Sequence, residues 1–293
     1  MKVVGTAEEL RSALAGHSGT RGFVPTMGAL HAGHERLMAE SRARDGHVVV
    51  SIFVNPKQFG PNEDLSRYPR PFEADVARCE AAGVDVLFAP DVATMYPPGF
   101  TTDVRVTSPW VDRWCGASRP GHFDGVTTVL ARLFGLVRAD RAYFGQKDFQ
   151  QWRVVSRLAA DLAGPEIVRV PTVREPDGLA LSSRNVYLSG ENRSVARALS
   201  RSLARLLEAS REGSPLPDAL ERERDRLSHT DGLALEYLDV VRVEDLSPVE
   251  TFGPDRVALV AARVGPARLI DNALMDPAGP DSGLLAYLEE TAS

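Results

Sequence analysis

The chain has 293 residues, enough for about two domains of roughly 150 residues each and for a core that needs no disulfide or metal staples. Apolar residues make up 43% and charged residues 25%, which excludes a disordered or collagen-like chain. With 34 basic and 40 acidic residues the formal charge is −6, which argues against a general nucleic-acid binder. Two cysteines, Cys79 and Cys115, make no disulfide framework and have no metal-ligand spacing. Met1–Gly5 shows no signal-peptide pattern, and no run approaches the roughly 18 apolar residues of a membrane span. The expectation is a soluble cytoplasmic protein. Only three of the basic residues are lysines, Lys2, Lys57 and Lys147, so each one invites a question.

Strand-like runs at 22–25, 47–54 (HVVVSIFV), 84–88, 141–144 and 167–170 alternate with helical periods at 33–44, 72–82, 126–138 and 149–162. Near-continuous apolar strands separated by amphipathic helices predict a parallel sheet covered on both faces, the doubly wound, Rossmann-like α/β class. Beyond Pro171 the pattern changes. An arginine-rich helix over 191–211, a Gly-Ser-Pro-Leu-Pro break, a helix over 218–227 and strands at 235–243, 256–264 and 267–270 predict a smaller α+β domain. The expected division is 1–172 and 173–293.

Ligands in such a sheet bind beyond the carboxyl ends of its strands, and four segments there carry chemistry. Pro25–His34 (PTMGALHAGH) leaves the first strand and opens a helix. Gly28 and Gly33 permit close backbone approach, free N–H groups at the helix start attract phosphate, and His31 and His34 can both point at it. Asn55 and Gln58 follow the next strand as neutral groups able to orient a hydroxyl or carboxylate, or as ordinary loop polarity. Gly145-Gln146-Lys147-Asp148 lies at another strand-to-helix switch. Lys147 offers phosphate a compact charge, Asp148 either holds a ribose hydroxyl or caps the next helix, and Gln151 lies one turn in. Leu181-Ser182-Ser183-Arg184 brings two hydroxyls and a cation that can bond phosphate oxygens. Its position after Asp177-Gly178 suggests a mobile flap over the cleft, and the alternative is a plain serine-rich turn with a surface arginine. In Arg119–Val126, His122 either walls a site or sits in a tight connection, and the cysteines have no base beside them in sequence.

Together PTMGALHAGH, SIFVNPKQFG, DLSRYPR, SRPGHFDGV, FGQKDFQQ, VPTVREPDGLALSSRN and RLIDN resemble the pantoate–β-alanine ligase family of the HxGH nucleotidyltransferase superfamily. The resemblance spans nearly the whole chain. It implies activation of the pantoate carboxylate by ATP to pantoyl adenylate, with loss of pyrophosphate, and then attack by the β-alanine amine with release of AMP. It places Met27, Gly28, Ala29, Leu30, His31, Ala32, Gly33 and His34 against ATP, with His34 as proton donor and His31 and Lys147 beside it in catalysis. Gly145, Gln146, Lys147, Asp148, Val173, Leu181, Ser182, Ser183 and Arg184 match further ATP contacts. Gln58 and Gln151 match the glutamines that hold pantoate, and Asn55, from its place beside Gln58, is expected in the same substrate site. Mg²⁺ is expected with ATP, with Asp75 the nearest matching carboxylate and phosphate oxygens and water the other ligands. A homodimer is implied, with no nucleic-acid or membrane partner. Gln146 and Cys115 depart from the pattern, where glutamate is common. The ATP motifs alone leave open a ligase for another acid or amine, and HxGH alone only the superfamily.

Overall fold

The structure, a computed structural model, describes residues 1–61, 63 and 65–289. Asp64, first residue of the DLSRYPR stretch, lies outside them. Two compact units divide the chain, Met1–Gly145 with Gln150–Val170 in the first and Gln146–Phe149 with Pro171 onward in the second. A single cut near 172 does not describe this division, because four residues after Gly145 associate with the second unit.

The first unit is a six-stranded parallel sheet in the order β1-β4-β3-β2-β5-β6. Its strands are β1 (Lys2–Val4), β2 (Arg21–Thr26), β3 (His47–Ile52), β4 (Val86–Phe88), β5 (Arg141–Gly145) and β6 (Glu166–Val170). Between them run α1 (Ala7–Leu14), α2 (Ala32–Arg44), α3 (Phe72–Ala81), the short α4 (Val92–Met95) and α5 (Cys115–Ser118), α6 (His122–Val137) and α7 (Phe149–Asp161). β1 and α1 have no counterpart in the expected elements. Their local signal is a capping box, in which Thr6 accepts from the Glu9 N–H while the Glu9 carboxylate accepts from the N–H groups of Gly5 and Thr6.

Strand side chains alternate between two cores, as a pleated strand requires. Phe23, Val49, Phe88, Ala142 and Phe144 pack with residues of α1, α6 and α7. Val24, Val48, Val50, Leu87 and Tyr143 pack with Leu37, Met38 and Cys79 of α2 and α3. From β2 the chain winds outward through β3 and β4, then returns to β2's other side with β5. The carboxyl ends of β2 and β5 therefore flank a topological switch point.

In the second unit, α8 (Gly190–Glu212) and α9 (Leu216–Ser228) precede an antiparallel sheet of β7 (Leu233–Arg242), β8 (Arg256–Val264) and β9 (Ala267–Leu274), followed by the short α10 (Ala286–Glu289). Ser189 caps α8 at one end, and Gly213 ends it in the left-handed region at φ 72°. Leu199, Leu203, Leu206, Leu220 and Leu227 of these helices share a core with Leu238, Val260 and Leu269 of the sheet. β9 continues four residues past its expected end, carrying Asp271 and Asn272 inside a strand.

The amino ends of the large sheet's strands are knit by charge. The buried Asp45 carboxylate accepts from Arg141 at 2.8 Å and from the Tyr143 hydroxyl at 2.5 Å. Asp85 accepts from the Val48 N–H and from Arg42, both at 2.7 Å. At the same edge His47, 4% exposed, stacks on His17 with ring centroids 3.8 Å apart. Neither ring nitrogen of His47 has a hydrogen-bond partner among the described residues. Burial, and then the neighbouring His17, lower its pKa below the ordinary histidine value. The folded protein therefore refuses a proton that the unfolded chain accepts. This contribution is complete above the unfolded pKa of about 6.5 and is lost as pH falls through the depressed folded value. Urea unfolding between about pH 7.5 and pH 5 should show a steeper loss of stability in the wild type than in His47→Phe, which keeps the stack without the titration. Parallel curves would clear His47 of this role.

Candidate active site

At the carboxyl end of β2 the backbone turns sharply. Gly28 (φ 83°) and Ala29 (φ 51°) both lie in the left-handed region. A Cβ at Gly28 would stand 3.0 Å from both Asp75 Oδ2 and Ile52 Cγ2. For Ala29 the conformation costs about 1–2 kcal/mol, offset by its partner: the Ala29 N–H donates to Asp75 Oδ2 at 2.8 Å, and that of Leu30 to Oδ1 at 2.7 Å. Asp75, on α3, is 2% exposed. Both of its oxygens serve the turn, each with one acceptor position taken up by a backbone N–H. Among the described residues no cluster of three or more His, Cys, Asp or Glu could hold a metal ion.

The start of α2 is closed by its own histidines. The Gly33 N–H donates to His31 Nδ1 at 3.1 Å and the His31 N–H to His34 Nδ1 at 3.3 Å. The His34 N–H donates to the His31 carbonyl at 2.8 Å. The expectation of free N–H groups awaiting phosphate fails for Ala29, Leu30, His31, Gly33 and His34, all of which have internal acceptors; Ala32 is exposed, and Met27 is half-buried. With Nδ1 as acceptor, each neutral imidazole carries its proton on Nε2. The rings lie side by side, centroids 4.1 Å apart.

Beyond β3, Asn55 is 1% exposed and its amide is fully engaged. Nδ2 donates to the Gly125 carbonyl and to Gln58 Oε1, each at 3.0 Å, while Oδ1 accepts from the Tyr96 hydroxyl at 2.7 Å and the Lys57 N–H at 3.2 Å. Asn55 has no capacity left for a substrate, which corrects its placing in the pantoate site. It does something else. A backbone carbonyl and a backbone N–H fix which end of the Asn55 amide is which, and this turns Gln58 Oε1 inward and its Nε2 donors away. The Gln58 carbonyl is held too, by His122 Nδ1 at 2.9 Å and Arg119 at 3.2 Å. Arg119 also grips Glu63 through two oxygens, and this hydrogen bonding holds the Glu63 carboxyl below its usual range. Of the two readings of His122, the structure supports the tight connection. Gly125 belongs to it as well, since a Cβ there would strike the Lys57 carbonyl. Lys57 itself pairs with Asp103 at 2.7 Å.

Beyond β5, Gln150 and Gln151 open α7 side by side with different environments. Gln150, 5% exposed, accepts from the Cys115 N–H at 2.9 Å and donates to the carbonyls of Trp110 and Arg113, each at 2.9 Å. Gln151 is half-buried, and its side chain makes no hydrogen bond among the described residues. Since β3 and β5 flank β2, Gln58 and Gln151 come from either side of the histidine turn. Cys79 is excluded as a nucleophile, because burial pushes its thiol up to about 12.

In the second unit, Gln146–Asp148 form a single 3₁₀ turn directly after Gly145, the last residue of β5. Lys147 Nζ lies 3.8 Å from the half-exposed Asp148 carboxylate. Val173 and Leu181 are the paired ends of a small hairpin, the Leu181 N–H donating to the Val173 carbonyl at 2.9 Å. Arg193 ties its turn through Glu175 at 2.6 Å and Asp177 at 2.8 Å. Ser182 then caps the short turn Ser183–Tyr187, its hydroxyl oxygen accepting from the Arg184 N–H at 3.2 Å. Arg184 forms no ion pair among the described residues. Sequence reasoning missed Asn272 and Asp281, which reach this unit's site segment: Asn272 bonds the carbonyls of Gln146 and Lys147, and Asp281 accepts from Gln146. RLIDN was the only available signal.

The family described as Pantoate-beta-alanine ligase matches residues 2–274. A pantothenate synthetase of Thermus thermophilus is 52% identical over 273 residues, covering 93% of this chain and 98% of that protein. A crystal structure of pantothenate synthetase from the same organism superposes with a TM-score of 0.90 at 50% identity, covering 94% of this chain and all of that one. The pantoate-beta-alanine ligase of Francisella tularensis, crystallised with beta-gamma ATP and beta-alanine, superposes with a TM-score of 0.75 at 31% identity, covering 96% and 99%. This chain belongs to the pantoate–β-alanine ligase family.

Proposed function

We propose that the enzyme condenses pantoate with β-alanine in two ATP-dependent half-reactions. A pantoate carboxylate oxygen attacks the α-phosphorus of ATP, breaking its bond to the β-phosphate bridge and releasing pyrophosphate. The neutral amine of β-alanine then attacks the acyl carbon of pantoyl adenylate, the acyl–oxygen bond breaks, AMP leaves, and the amine sheds its proton. The observation that carries the reading is the paired histidine turn at the carboxyl end of β2, with both imidazole rings fixed by Nδ1 bonds to backbone N–H groups, in a chain of this family. Charge developing on phosphate oxygens calls for fixed donors of this kind.

In this reading Met27–His34 contact ATP, and His34 Nε2–H protonates or hydrogen-bonds the departing phosphate, with His31 beside it. Gly145–Asp148, Val173, Leu181 and Ser182–Arg184 contribute further ATP contacts, with Lys147 and Arg184 as cations for phosphate oxygens. Gln58 and Gln151 hold pantoate. Mg²⁺ accompanies ATP on phosphate oxygens and water, with Asp75 the nearest matching carboxylate. The reading extends to a cytoplasmic homodimer, supported for the dimer by the family resemblance; no helix among the described residues is long and apolar enough to cross a membrane. Sedimentation equilibrium at one chain mass would remove the dimer.

AMP release with ATP and pantoate should depend on β-alanine; AMP released at the same rate with any acid and no amine would overturn the assignment. Lys147→Ala should slow single-turnover adenylate formation by a factor on the order of 100, the scale of one lost donor to transition-state charge. Lys147→Arg should recover part of that rate, since a planar fork replaces a point charge. A near-wild-type rate in the alanine variant would take Lys147 out of the reaction.

Gln58→Ala should raise the pantoate KM and leave ATP affinity in place. Asn55→Asp separates positioning from contact. The new carboxylate accepts but cannot donate, so the Gln58 amide should rotate and present its oxygen to the substrate. The pantoate KM should rise by roughly 10- to 100-fold, the worth of one hydrogen bond to a charged group. Equal losses of ATP and pantoate affinity in steady-state and binding measurements would show that neither residue is specific to the acid.

A further inference from the structure

Lys147 is one of only three lysines in the chain, and its turn is held from far away in sequence. Asn272 lies on β9 and is 1% exposed. Its Nδ2 donates to two consecutive carbonyls, Gln146 and Lys147, each at 2.9 Å. Two carbonyls can accept only from the amino end of the amide, so its orientation is fixed. The strand beneath is braced in turn. The Asn272 N–H donates to Asp271 Oδ1 at 2.8 Å, Asp271 pairs with Arg174 through both oxygens at 2.7 and 3.0 Å, and Arg174 reaches the Asn272 carbonyl at 3.3 Å.

The turn has a second attachment through a side chain. Gln146, fully buried, donates from Nε2 to Asp281 Oδ2 at 2.7 Å, and the same oxygen accepts from the Leu274 N–H at 2.8 Å. Both amides leave a buried oxygen, Asn272 Oδ1 and Gln146 Oε1, without a hydrogen-bond partner among the described residues. An arrangement selected for stability alone would avoid two such atoms. Their retention fits a requirement on the amino ends, which hold the turn at its backbone and at the residue before Lys147.

We propose that Asn272 is a positioning residue for Lys147, its carboxamide setting the backbone from which the ammonium is presented to the nucleotide, with Asp281 steering the same turn through Gln146. This rests on the reading of Lys147 as a phosphate contact, and the test separates the two. In protein grown with lysine labelled at Cε and Nζ only three side-chain signals arise, and the one missing from Lys147→Arg identifies Lys147. In the wild type this signal should shift when α,β-methylene ATP is added. In Asn272→Ala the shift should shrink, and single-turnover adenylate formation should slow on the order of 100-fold, the cost of a misplacement of about 1 Å. The ATP dissociation constant should not rise in parallel, since the loss falls on the reacting geometry. If Asn272→Ala fails to fold, Gln146→Met removes the second attachment at similar volume and should show the same effects in weaker form.

A folded variant that keeps both the wild-type Lys147 shift and the wild-type rate overturns the proposal. So does a rate that falls only with the fraction of folded protein while the shift stays intact. A wild-type Lys147 signal indifferent to the ATP analogue overturns instead the reading of Lys147 as a nucleotide contact.

Discussion

The Asp75 carboxylate decides how the histidine turn works. By accepting from the N–H groups of Ala29 and Leu30 it holds a non-glycine residue in the left-handed region, and it places side-chain oxygens of the protein itself where a bound anion is ordinarily met at the start of a helix. The following N–H groups close on the two imidazole rings and on a carbonyl. In the proposed reading, phosphate at this turn meets side chains in place of bare backbone. Side-chain donors can be protonated and deprotonated, as a reaction that moves charge between two phosphates requires, whereas a peptide N–H cannot.

The same end of the sheet is rich in neutral amides. Asn55, Gln58, Gln150 and Gln151 gather at the loops after β3 and β5, while the ion pairs of Asp45 and Asp85 sit at the opposite edge. Neutral amides can orient a carboxylate without neutralising it, and in the proposed reading this leaves the pantoate carboxylate charged for its attack. The charged side chains beside them are paired, Arg119 with Glu63 and Lys57 with Asp103. The two cations among the expected site residues, Lys147 and Arg184, both belong to the second unit.

Strands and helices were legible because their signal is local: HVVVSIFV is buried wherever it falls in a sheet, and β-branched residues at consecutive positions suit a strand packed on both faces. The histidine turn was legible for a related reason, since an HxGH pattern after a strand carries its geometry within ten residues. Amide roles were not. Asn55 and Gln58 look alike in sequence, and what separates them is the Gly125 carbonyl, 70 residues on. Asp75 reads as an ordinary first-turn carboxylate of α3, and only the approach of the Ala29–Leu30 turn reveals its use. The grouping of Gln146–Phe149 depends on Asn272 and Asp281, more than 120 residues away, where local propensity carries no information.

That grouping bears on how this chain can be taken apart. The polypeptide passes between its two units after Gly145, after Phe149 and after Val170, so no single cleavage divides it into independent halves. A fragment ending at 170 would carry the Lys147 turn without the amide that shapes it, and the complementary piece would expose the donors of Asn272 with nothing to receive them. The four-residue excursion is thus a covalent graft of one unit onto the other, and it makes the parent chain, rather than either part, the smallest object in which Lys147 has a defined place.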